Sequence, residues 1–134
     1  MNDVFDPQEK QTLQTAAYGA VTLVSIAYPG VISTARTNMV GAKVLSGATG
    51  LVGEVLAGKV DPKLPKGTTA EVATVVLAAL RESVTIMQRR APQELENYRR
   101  MVTLAVEQGA QSGNGAKPAT AEMLAKVKGA LDGE

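Results

Sequence analysis

Two arginine pairs form the densest concentration of chemistry in this chain. Arg89 and Arg90 are adjacent, Arg99 and Arg100 follow shortly after, and Ala91-Pro92 lies between them. A proline step between two apolar-periodic stretches predicts a turn, so the pairs sit on a helical hairpin and could share a surface. Such a surface could hold a phosphate or an acidic partner. The competing reading is neutralisation within the protein, because Glu82, Glu94, Glu96 and Glu107 lie among the arginines. A second candidate is the glycine-rich run Gly47-Ala48-Thr49-Gly50-Leu51-Val52-Gly53. Glycines allow close backbone approach to a phosphate, and a helix N-terminus stabilises its charge. The third is Lys43. Burial among its apolar neighbours would lower its pKa and make it a base, unless its ammonium reaches water past its own stem.

The glycine run resembles the phosphate-binding turn of extended and atypical short-chain dehydrogenases, in which GATGxxG follows the first strand and opens the first helix. The resemblance implies a nicotinamide nucleotide bound through Gly47, Gly50 and Gly53. It covers only this short run. The stretch in the strand position, Lys43 to Ser46, is short. Tyr18, Tyr28 and Tyr98 all lack a lysine four residues on, so the family's Tyr-x-x-x-Lys pair has no counterpart. The alternative is structural. Gly47, Gly50 and Gly53 recur every third residue and would line one side of a helix, where another backbone could approach closely. That gain would offset the roughly 1 kcal/mol each glycine costs against alanine.

Composition removes several chemistries. The chain has no histidine and no cysteine, which excludes a histidine base, a carboxylate–histidine metal site, a thiolate nucleophile and a disulfide. The serines have no histidine to activate them. A net charge of +1 gives no global field for nucleic acid, and an aromatic content of 3% leaves few side chains on which bases could stack. No cofactor and no nucleic-acid partner is therefore expected. The same scarcity of aromatics requires an aliphatic core. The acidic, polar start MNDVFDPQEK is unlike a signal peptide, so cytoplasmic residence is expected. No charge occurs between Lys10 and Arg36, a length that could span a bilayer. Threonines, glutamines and the Pro29-Gly30 break favour a buried helix instead.

The elements that position these residues read as helices. Asp6-Pro7-Gln8-Glu9 is a capped start for a central helix from Pro7 to about Tyr28. Residues 31–57 form a second segment, either continuous or split near Arg36–Asn38, with Gly58 as its stop. Residues 58–67 read as a loop made basic by Lys59, Lys63 and Lys66. Thr68-Thr69-Ala70-Glu71 predicts a capping box and a helix to Arg90, buried along Ala73, Val76, Leu77, Leu80, Val84 and Met87. From Pro92 the next helix turns Leu95, Tyr98, Met101, Val102, Ala105 and Gln108 inward. A loop over Gly109 to Gly115 follows. A short last helix opens at Pro118 and buries Met123, Leu124, Val127 and Leu131.

The expected fold is a single all-α domain over residues 1–134. It is a compact bundle of four long helical segments and a short C-terminal helix. The leading function is a non-enzymatic module that associates or holds a small ligand. The rivals are a nicotinamide-nucleotide binder and a membrane-associated helical protein. Residues 39–58 are apolar with only Lys43 and Glu54 charged, and an uncovered part of this surface predicts a homodimer.

Overall fold

The computed structural model describes residues 5–26, 31–56, 67–112 and 118–132, with the side chains of 31–38, 112 and 118–119 outside the description. Among the described residues there are six α-helices and no strand. They are α1 (Pro7–Ile26), α2 (Val31–Ser46), α3 (Gly50–Leu56), α4 (Thr69–Arg90), α5 (Leu95–Ser112) and α6 (Pro118–Leu131), with a 3-10 turn at Pro92–Glu94 before α5. The expected capping boxes both form. Glu9 N–H donates to Asp6 Oδ1 at 2.7 Å and Asp6 N–H to Glu9 Oε1 at 3.0 Å. Thr68 and Glu71 repeat the exchange at 3.0 and 3.2 Å. Each box satisfies orphan donors that the first helical turn leaves without an intrahelical acceptor.

The fold is all-α and compact, organised around α1. That helix touches α2, α3, α4, α5 and α6, and its apolar residues are buried around most of the circumference. Its most extensive packing is with α4, while α2 packs most extensively on α5. Aliphatic residues from α1 through α6 join one apolar cluster, with Phe5 and Tyr98 as its buried aromatics. Gly41 lets α2 approach α1: a methyl built there would lie 2.5 Å from Val21 Cγ1. Among the described residues, no helix is long and apolar enough to cross a membrane.

Several expectations are corrected. α2 is continuous through Arg36–Asn38, and the second segment breaks at 47–49 instead. Helices α4 and α5 do not form a packed hairpin; they meet near their turn and then lie against α1, α6 and α2. Gln108 is exposed rather than inward. α5 continues to Ser112 through Gly109 and Ala110, both buried, so packing overrides glycine's weak helix propensity there. Tyr28, Gly58 and the basic loop with Lys59, Lys63 and Lys66 lie outside the described residues.

Candidate functional site

The arginines of α4 are engaged from within. Glu9, 7% exposed, accepts from Arg89 Nη2 at 2.8 Å and from Arg90 Nε at 3.2 Å, both on Oε2. Its other oxygen accepts from Asp6 N–H. The pairing joins the first turn of α1 to the last turn of α4, where an acid and two bases each complement their helix dipole. The Asp6 backbone hydrogen bond, ahead of the two guanidinium groups, holds the Glu9 carboxyl below its ordinary pKa; burial opposes this and loses.

The second arginine pair has different partners. Arg99 Nε donates to the Leu131 carbonyl at 2.8 Å and so caps the end of α6. Its Nη1 meets Glu96 at 2.6 Å, one of the neutralising contacts expected from the sequence. Arg100 Nη2 donates to Asn97 Oδ1 at 3.0 Å. Arg99 and Arg100 line an open hollow of about 320 Å³ with Glu96, Glu107 and Asp132. Arg89 lines a separate one of about 230 Å³ with Asp6, Glu9 and Glu82. Arg89, Arg90 and Arg99 thus each meet a carboxylate of this chain, whereas Arg100 bonds to the Asn97 amide.

The glycine run forms a break between helices. Gly47 N–H donates back to the Lys43 and Val44 carbonyls, ending α2, and Gly50 takes φ +68° to open α3. A methyl on Gly53 would come within 2.3 Å of the Ala48 carbonyl oxygen, so the turn folds tightly onto the helix it opens. The glycines therefore do not line one face of a continuous helix. The turn is preceded by a helix rather than a strand, and α3 is only seven residues long. The position a Gly50 methyl would take is 3.2 Å from Glu94 Oε1, which brings negative charge to the place where the resemblance implies a pyrophosphate. Lys43 is exposed, so the burial required of a lysine base is missing.

Of the remaining polar groups, the sequence placed Tyr98 inward but did not single out Gln14 or Tyr18 as links between helices. Gln14 Nε2 donates to the Val55 carbonyl at 3.1 Å and Tyr18 Oη to the Leu56 carbonyl, so α1 caps the C-terminal end of α3. Tyr98, 1% exposed, donates to the Leu13 carbonyl at 2.9 Å. Its burial pushes the phenol far above its ordinary pKa, with a hydrogen bond to Ser83 pulling weakly the other way. Ser25, Ser46 and Ser83 bond back to carbonyls of their own helices. Among the described residues no three acidic, histidine or cysteine side chains group as metal ligands would.

No family model, curated protein or solved structure matches this chain.

Two surfaces bear on association. In residues 39–56, Leu45, Ala48, Val52, Val55 and Leu56 are buried within the monomer, leaving chiefly Met39 and polar or glycine positions outside. Val40, Val44 and Leu51 of this stretch are half-buried, and Met39 is its exposed large hydrophobic side chain among the described residues. A different groove runs between α1 and α4. It has a volume of about 450 Å³ and is lined by Gln11, Thr12 and Thr15 on one side and Thr74, Val75, Ala78, Ala79 and Glu82 on the other. Val75 is one of only three exposed large hydrophobic side chains among the described residues, at 39%.

Proposed function

We propose that this chain is a non-enzymatic helical module of the cytoplasm that acts by association, with a second copy of itself as the partner. The observation that carries this reading is the groove between α1 and α4. It is open, its floor is made mostly of threonine and alanine side chains with Gln11 and Glu82 at its edges, and Val75 stands exposed in it. Small residues let a second helix come close, and twofold symmetry is the commonest way for identical surfaces to meet. The internal engagement of Glu9, Arg89, Arg90 and Arg99 supports association over anion capture, because these groups already stabilise the bundle. Sedimentation equilibrium over a wide concentration range tests the reading. Wild type is expected to dimerise with rising concentration. Ala78→Glu, at an exposed position of α4 where helix propensity changes little, is expected to weaken the dimer by at least about tenfold, as one desolvated and unpaired charge would. A monomer at every concentration, or a dimer indifferent to Ala78→Glu, overturns the proposal. Fractionation of source cells checks the compartment.

A further inference from the structure

We propose that α3 is a latch, a unit that swings away from α1 about the Gly47–Gly50 turn while the rest of the bundle stays folded. Three observations converge on it. First, α3 has seven residues, too few to hold a helix without tertiary support. Its main packing partners among the described helices are α1 and α2, and Glu94 approaches its first residue, Gly50. Second, its attachment is compact and identifiable. Val52, Val55 and Leu56 enter the core, and Gln14 and Tyr18 of α1 take the Val55 and Leu56 carbonyls. These carbonyls belong to the last turn, where the helix has no acceptor duty of its own to fulfil. Third, the entrance to α3 turns on glycine. Gly50 adopts φ +68°, a conformation glycine leaves at little steric expense, whereas the helices on either side have long continuous hydrogen-bond ladders. Opening at this turn breaks the two side-chain anchors and withdraws three aliphatic side chains. It leaves the α1–α4 and α2–α5 packing in place. The opened state bares the part of α1 and α2 that α3 covers, so the latch controls access to apolar surface buried in the closed form. This inference does not depend on the association reading, which uses a different surface.

Native-state amide hydrogen exchange at increasing sub-denaturing urea tests the latch on the unmodified protein. The amides of Gly53 to Leu56 are expected to exchange through a small opening, faster than the cores of α1 and α4 and with a much weaker urea dependence. Tyr18→Phe removes one anchor without removing the ring. It is expected to speed exchange of those amides roughly fivefold, the factor that one hydrogen bond of ordinary net strength represents. Exchange in α4 and α5 should not change. Gln14→Met provides the second anchor variant and is expected to act in the same direction. If the α3 amides share the exchange free energy and urea slope of α1 and α4, α3 opens only with global unfolding and the proposal falls. It falls equally if both variants accelerate exchange uniformly across all helices.

Discussion

Replacing Gly41 by alanine should destabilise the protein, although alanine is the better helix former. The methyl would sit 2.5 and 2.8 Å from the two γ-carbons of Val21 and 3.2 Å from its β-carbon. Val21 is 2% exposed and β-branched, so it has neither space nor rotamers with which to yield. Overpacking of this kind costs about 1–3 kcal/mol, against about 1 kcal/mol gained in helix propensity, leaving a net loss of roughly 1 kcal/mol. Gly129 in α6 is the control, since a methyl there meets nothing within 4 Å. The same substitution at Gly129 should stabilise by about 0.5–1 kcal/mol. Urea unfolding followed by circular dichroism reads both, and the two variants should move the midpoint in opposite directions with an unchanged slope. Val21→Ala supplies the third corner of a cycle. Once Val21 is shortened the Gly41→Ala penalty should vanish, giving a coupling of at least about 1 kcal/mol. A Gly41→Ala protein as stable as wild type, or a cycle that is simply additive, would refute the close approach of α1 and α2 at this point.

Two further predictions concern ionisation. The folded pKa of Tyr98 is raised above its unfolded value, so its contribution is fully present below about pH 10 and declines above it by up to about 1.4 kcal/mol per pH unit. An ultraviolet titration should show Tyr98 ionising together with loss of the helical signal; complete ionisation of all three tyrosines in a still-folded protein contradicts its burial. For Glu9 the sign is opposite. Its folded pKa is depressed, so its stabilisation is present above the ordinary carboxylate range and is lost as pH falls. Glu9→Gln should cost about 1–2 kcal/mol at neutral pH, an allowance discounted for two partly exposed arginine partners. The gap from wild type should close in acid, and a gap that stays constant with pH would show that the charge of Glu9 contributes nothing.

The sequence by itself determined the features whose physics is complete within a few residues. Asp6 and Glu9, or Thr68 and Glu71, satisfy one another three positions apart, so their capping boxes are legible without a fold. The α4 span follows from its capping box and the Ala91-Pro92 break, and its buried stripe of Val76, Leu80, Val84 and Met87 from apolar spacing. The breadth of the apolar arc on α1 likewise announced a central helix. Tertiary structure decided what depends on partners far along the chain. Glu9 reads locally as a cap, yet it also receives Arg89 and Arg90 from the opposite end of α4. Gln14 and Tyr18 read as polar interruptions of an apolar helix until α3 arrives with two carbonyls to be capped. The glycine run was ambiguous for a physical reason: a packed helix face and a positive-φ turn both require the missing Cβ, and only the observed backbone at Gly50 separates them. The pairing of α2 with α5 and α1 with α4 was equally unreadable, because several helices present similar aliphatic stripes. Their choice among partners rests on shape at particular crossings, such as Gly41 against Val21, where a single methyl group is the difference between contact and clash.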